Sequence, residues 1–207
     1  MKFDSIIFDM DGTLWDPTEL YLQAWNSGLE TSGVDKILTA EDLKPMMGVN
    51  GKSVLETLLP DKDDDTRQRI ADAVNARRRE LIASGGGTMY PGVKEGIKEL
   101  SKKYKLFIVS NCPKGIITLF MNRAGITEYI VDEMAYGFNL KPKNHNIKLL
   151  IKKHNLQNTV YVGDTDIDRV ESEMAGIPFV FVSYGFAVAE RYDMTFENFD
   201  SLVKHFS

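Results

Sequence analysis

Four short apolar runs punctuate the chain, at residues 5–8, 106–109, 159–162 and 179–182. Each is rich in Val, Ile, Phe or Tyr and apolar at both alternating positions, which suits parallel strands covered on both faces. A weaker strand pattern lies around 129–132. Between the runs, helical patterns span 93–103, 113–124, 144–154 and 167–175. Pro113 suits a first helical turn, and Gly125 and Gly176 suit helix ends. Strands alternating with helices predict an α/β fold, a doubly wound, Rossmann-like parallel sheet.

The alternation breaks directly after the first run. Residues 17–84 contain no convincing strand, only helical patterns over 19–30, 40–46, 52–59 and 65–83. The stretch closes on Ser84-Gly85-Gly86-Gly87, a composition suited to a hinge. The expected organisation is therefore an α/β core of residues 1–16 and 88–207, with a helical insertion over 17–87 that has hinge segments at both ends. The run Arg77-Arg78-Arg79 on the last inserted helix reads as a solvated face paired with Glu80 and nearby acids.

Composition narrows the class. A length of 207 residues fits one large domain or a core with a modest insertion. With 43% hydrophobic and 27% charged residues, disorder, collagen and disulfide scaffolds are excluded. No apolar run approaches the roughly 18 residues of a membrane span. Met1-Lys2 leads through a short apolar stretch straight into acids, which does not read as a signal peptide. The single cysteine, Cys112, cannot form an internal disulfide and fits a reducing cytoplasm. A net charge of −5 argues against nonspecific nucleic-acid or anionic-membrane binding. No coiled-coil stripe is evident, so a monomer is expected.

Candidate chemistry sits at strand ends. The first run ends in Asp9-Met10-Asp11-Gly12-Thr13, and residues two apart in extended chain face the same side. The run at 159–162 ends in Gly163-Asp164-Thr165-Asp166-Ile167-Asp168. If the strands are parallel, both acid clusters lie at one sheet edge, where open α/β sheets bind ligands. Carboxylates without His or Cys partners favour a hard cation, Mg²⁺ above all. Helix capping explains part of the second cluster, since Thr and Asp cap well, but not why two strands end this way. The run at 106–109 leads into Ser110-Asn111, a hydroxyl and amides that either cap a helix or cradle an anion. Lys141, on the loop before another helix, adds a cation. Acids for a metal, a hydroxyl and a cation match phosphoryl transfer through an aspartate nucleophile.

On these motifs the sequence resembles the haloacid dehalogenase superfamily: Asp9-Met-Asp-Gly-Thr stands as the first motif, Ser110 the second, Lys141 the third, and Gly163-Asp164 to Asp168 the fourth. The insertion resembles that family's small helical cap, and the nearest subgroups are phosphoglycolate-phosphatase-like and β-phosphoglucomutase-like. The resemblance implies that Asp9 attacks phosphorus and that Asp11 serves as general acid and then base. It implies Mg²⁺ held by Asp9, the Asp11 backbone carbonyl, Asp164 and Asp168, the last through water. Ser110 and Lys141 would hold phosphoryl oxygens, with Asn111 and Thr13 as supporting donors. The substrate would be a small phosphorylated metabolite.

Asp11 argues against dehalogenase chemistry, which delivers no proton to an alcohol. Ala24-Trp25 and Gly48-Val49 resemble the mutase subgroup, so a phosphosugar mutase is one alternative. That subgroup, however, has a His where Tyr21 stands and an Arg where Gly51 or Lys52 stands. A phospho-accepting receiver-like signalling module is the alternative from another class; it lacks the Asp-x-Asp-Gly-Thr order and the insertion. Trp15, Trp25 and residues 46–52 are candidates to shape the substrate pocket.

Overall fold

The computed structural model describes residues 3–207. Six strands form one parallel sheet: β1 (Ser5–Phe8), β4 (Lys105–Ser110), β5 (Asp132–Ala135), β6 (Thr159–Gly163), β7 (Phe179–Val182) and β8 (Met194–Phe196). Their spatial order is β5-β4-β1-β6-β7-β8, with every neighbouring pair parallel. The chain winds outward from β1 through β4 to β5, then returns to the other side of β1 at β6. The crevice between β1 and β6 is thus the topological switch point, where such sheets bind ligands beyond their carboxyl ends.

Side chains of β1 alternate between two apolar layers. Ile6 and Phe8 join Leu106, Ile108, Val160 and Val162 on one face; Ile7 joins Phe107, Val109 and Tyr161 on the other. The first face is covered by α5 (Val93–Leu100), α6 (Ile116–Ala124) and α10 (Phe199–Phe206), through Ile97, Phe120, Phe199 and Leu202. The second is covered by α8 (Lys143–His154), through Ile147 and Leu150, and α9 (Asp166–Ala175) reaches it through Ala175. Burial on both faces is why the central strands read as unbroken apolar runs rather than alternating ones.

Between β1 and α5 the chain forms an antiparallel ribbon, β2 (Trp15–Asp16) with β3 (Thr88–Met89), pairing Trp15 with Met89 and Asp16 with Thr88. Every named helix and strand between these two strands is helical: α1 (Thr18–Thr31), α2 (Ala40–Leu43), a 3₁₀ turn Lys44–Met46, α3 (Gly51–Leu58) and α4 (Asp64–Ala83). Their apolar faces, including Leu20, Trp25, Val54, Ile70 and Val74, continue into the first sheet layer as one cluster.

Several expectations shift. The edge strand β5 lies three residues beyond 129–132, because Thr127–Tyr129 forms a 3₁₀ turn. α6 begins at Ile116, behind a left-handed Gly115 (φ 84°), so Pro113 belongs to the loop before it. In the glycine tract read as a hinge, the Arg123 guanidinium donates to the carbonyls of Gly85, Gly86 and Gly87. β8, α10 and the short α7 (Tyr136–Asn139) had no counterpart in the sequence reading. No helix among the described residues is long and apolar enough to cross a membrane.

Candidate active site

Asp9 follows the last residue of β1, and its N–H donates to Val162 O at 2.8 Å, extending the β1–β6 ladder by one residue. The chain then turns sharply. Leu14 N–H reaches Met10 O and Gly12 N–H reaches Trp15 O, both at 2.9 Å, with Gly12 at φ 82°. A Cβ on Gly12 would overlap the Asp164 carboxylate, so the residue must be glycine for conformation and space alike. Asp164 follows β6 and accepts from Thr13 Oγ1 at 3.2 Å and from Phe186 N–H at 2.8 Å. The two acid clusters therefore meet across the switch point. Carboxylate oxygens of Asp9, Asp164 and Asp168 lie within 4.8 Å of one another, all buried.

The cation that meets them is Lys143, not Lys141. Lys141 is exposed on the loop, where its N–H is held by Asn139 Oδ1 at 2.9 Å. Lys143, the first residue of α8, is 2% exposed, with Nζ 2.9 Å from Asp9 Oδ1 and 2.6 Å from Asp168 Oδ1. Helix phase decides between them: Lys143, Asn146, Ile147 and Leu150 form the buried stripe of α8, and that spacing of three, four and seven was available in the sequence. Burial works against the ammonium, yet Asp168 and then Asp9 outweigh it and hold Lys143 well above the ordinary lysine range.

Asp168 is a brace. Besides Lys143, its carboxylate accepts from Tyr161 Oη, Thr165 Oγ1 and the N–H groups of Asp164 and Thr165. With Thr165 it forms a capping box at the start of α9. Asp9 is the opposite case. Lys143 stands 2.9 Å away, but neither carboxylate oxygen of Asp9 accepts a well-formed hydrogen bond. Burial, opposed by Lys143 and reinforced by Asp168 and Asp164, pushes Asp9 well above the carboxylate range. Burial, with Asp168 nearby, pushes Asp164 up to about 7. Three buried acids with one ammonium and an unsatisfied carboxylate are a donor set that a hard divalent cation fits.

Asp11 faces the helical segment. Its two oxygens accept from Trp15 Nε1 and Tyr21 Oη, each at 2.7 Å. Burial raises Asp11 against those hydrogen bonds, the direction that favours a proton donor. Ser110 ends β4, where its Oγ accepts Cys112 N–H at 3.3 Å. Thr13 is spent on Asp164, and Asn111 Nδ2 donates to Gly48 O at 2.7 Å, linking the sheet edge to the inserted loop. Asn111 lines the chamber, while Thr13 meets it through Asp164.

Asp9, Asp11, Ser110, Lys143 and Arg78 line one chamber of about 50 Å³, closed on the helical side by Trp25, Met46, Met47, Gly48 and Val49. Of the residues expected at 46–52, Met46, Met47, Gly48, Val49 and Gly51 line the chamber, Lys52 lines a larger outer cleft of about 560 Å³, and Asn50 lines neither. Trp15 serves through Asp11 instead. Arg78 departs most from its reading as a solvated side chain. Arg77 does pair with Glu80 at 2.9 Å, and Arg79 reaches Lys114 O at 2.6 Å, but Arg78 is buried. The signal was present: Ile70, Val74, Arg78 and Ile82 are the buried stripe of α4, spaced by four.

A family model described as haloacid dehalogenase-like hydrolase matches residues 6–182. The phosphoglycolate phosphatase of Rhodobacter capsulatus is 25% identical over 189 residues, covering 88% of this chain and 85% of that protein. Pyrophosphatase PpaX of Listeria monocytogenes is 26% identical over 186 residues, covering 85% and 83%. Among solved structures, CbbY from Rhodobacter sphaeroides in complex with phosphate superposes with a TM-score of 0.85 at 20% identity, covering 97% and 96% of the two chains. A haloacid dehalogenase-like family hydrolase from Streptococcus pneumoniae superposes with a TM-score of 0.82 at 19% identity, covering 100% and 99%. At these identities the superpositions speak for the fold.

Proposed function

The chain belongs to the haloacid dehalogenase-like hydrolases, and from that membership we propose a Mg²⁺-dependent phosphatase that hydrolyses a small phosphorylated metabolite through a phosphoaspartyl intermediate. One observation carries the reading. Asp9 is a buried carboxylate with no well-formed hydrogen bond, set between Lys143 and Asp164 at the switch point. The nucleophile of such a reaction needs an unclaimed lone pair, and Asp9 has one.

In this reading Asp9 Oδ attacks phosphorus as the bond to the alcohol oxygen breaks, and Asp11 gives that oxygen its proton. Asp11, now a carboxylate, takes a proton from water as the water attacks phosphorus. Phosphate leaves and Asp9 is regenerated. Trp15 and Tyr21 hold Asp11 in place. Ser110 and Lys143 hold phosphoryl oxygens, with Lys143 taking the part first given to Lys141. Asp9, Asp164, the Asp11 carbonyl and Asp168 would hold Mg²⁺, Asp168 through water. Bound there, Mg²⁺ supplies positive charge to the phosphoryl group and the crowded carboxylates. Residues 17–87 act as a cap over the chamber, and their packing excludes bulk water.

The test is phosphate release from a panel of small phosphomonoesters in Mg²⁺, with Asp9→Asn as control. Turnover that Asp9→Asn abolishes supports the reading. Unchanged turnover in that variant overturns it.

A further inference from the structure

Arg78 has no role in the reaction just described, yet it lies in the wall of the chamber. It is 7% exposed, its Nε is buried without a partner, and it makes no hydrogen bond or ion pair among the described residues. Its guanidinium lies over the Tyr21 ring, Cζ 4.2 Å from the centroid. An arginine placed to neutralise Asp11 would bond to it, but both Asp11 oxygens are taken by Trp15 and Tyr21. Burying an unpaired guanidinium is costly unless an anion completes it.

Its position says where that anion would come from. The chamber and the outer cleft share a wall of Trp25, Gly51, Arg78, Asn111 and Pro113, in which Arg78 carries the only charge. Tyr21 connects the two ends of the path: its hydroxyl is on Asp11, which protonates the leaving oxygen, and its ring is under Arg78. A leaving group that starts at Asp11 and runs a few bonds outward arrives at the guanidinium. We propose, resting on the phosphatase reading, that Arg78 binds a second anionic group, carboxylate or phosphoryl, carried on the substrate's short leaving group. Stacking on Tyr21 fixes the guanidinium plane, and its free N–H donors can meet two oxygens in parallel.

Two measurements test this. Hydrolysis of 2-phosphoglycolate, pyrophosphate and 2-hydroxyethyl phosphate compares a carboxylate, a phosphoryl group and a neutral group on short leaving groups. Wild-type kcat/KM should favour one or both anionic substrates about 10- to 100-fold, as expected for a charge-assisted pair. Which of the two leads identifies the anion. In parallel, calorimetry with the non-hydrolysable 3-phosphonopropionate and its carboxamide reads binding alone. The wild-type affinity ratio should collapse about tenfold or more in Arg78→Gln and be partly kept in Arg78→Lys, which retains charge and stem. No hydrolysis of any ester sinks the phosphatase reading itself. Equal kcat/KM for all three sinks the Arg78 assignment alone and needs no variant, and where 2-phosphoglycolate leads, a wild-type affinity ratio near one sinks it as well. A ratio that survives in folded Arg78→Gln sinks it too.

Discussion

Replacing Lys143 by methionine keeps the stem volume and removes the only ammonium that meets the buried acids among the described residues. Its side chain is 2% exposed and its partners Asp9 and Asp168 are 2% and 0% exposed, so solvent screening gives no discount. Breaking a buried pair by removing one partner costs about 3–5 kcal/mol. Protonation sets a ceiling on that loss, because Asp9 is already raised by burial and can accept a proton instead of remaining charged. For a chain of this size about 1 kcal/mol moves Tm by roughly 2–4 °C, so Lys143→Met in chelator should melt about 6–20 °C below wild type. Added Mg²⁺ should recover part of the difference by supplying the missing charge. Lys141→Met, on an exposed side chain, should stay within about 0.5 kcal/mol of wild type. Turnover should separate the two further: loss of a preorganised charge on the phosphoryl group costs about 10²- to 10³-fold for Lys143→Met and next to nothing for Lys141→Met. Paired urea and thermal melts with steady-state phosphate release decide it. Equal effects of the two substitutions, or a Lys143→Met protein as stable as wild type in chelator, would refute the reasoning.

Other outcomes follow from the same geometry. Chelator should abolish turnover and Mg²⁺ restore it, with Ca²⁺ a poor substitute because of its looser coordination shell; full activity in chelator would remove the metal from the scheme. Asp11→Asn should lose about 10²- to 10⁴-fold on an alkyl phosphate, yet still accept phosphate from an acyl phosphate and accumulate phosphoenzyme. Rapid-quench intact-mass spectrometry with peptide mapping reads this, and phosphate found on Asp11 would reverse the two roles. Gly12→Ala forces a Cβ into the Asp164 carboxylate, so the Mg²⁺ concentration for half-maximal activity should rise at least tenfold; an unchanged value would detach Asp164 from the metal.

The acid clusters were legible because strand ends are easy to find: an unbroken apolar run stops, and the next polar residue lies at the sheet edge. Asp9 and Asp164 needed only that. Lys143 needed helix phase, since two lysines flank Pro142 and only the one inside α8 points into the core. Arg78 was obscured by its neighbours. Successive helical residues point about 100° apart, so the three arginines lead to three environments, and a charge run hides that divergence. β5 was misplaced because an edge strand buries only part of its surface, leaving Asp132–Ala135 without an apolar signature. The α10 pattern was readable from Phe199, Leu202 and Phe206 behind the Asn198 cap. What no local pattern carried was the long-range contact, such as Tyr21 on Asp11 or Asn111 on Gly48.

The ribbon of β2 and β3 sets Asp16 opposite Thr88, so residues 17–87 leave the sheet and return to it at adjacent points. For the sheet, the whole segment is one loop with its ends already together. Closing so long a loop instead of a four-residue turn costs about 2.5 kcal/mol of chain entropy, and the loop's own packing opposes that cost. A lineage could therefore lengthen, shorten or exchange this segment while β1, β4 and β6 keep their register. A replacement would have to supply a hydroxyl for Asp11 and a carbonyl for Asn111. Within those two requirements the segment is free to change while the strands that carry Asp9 and Asp164 stay as they are.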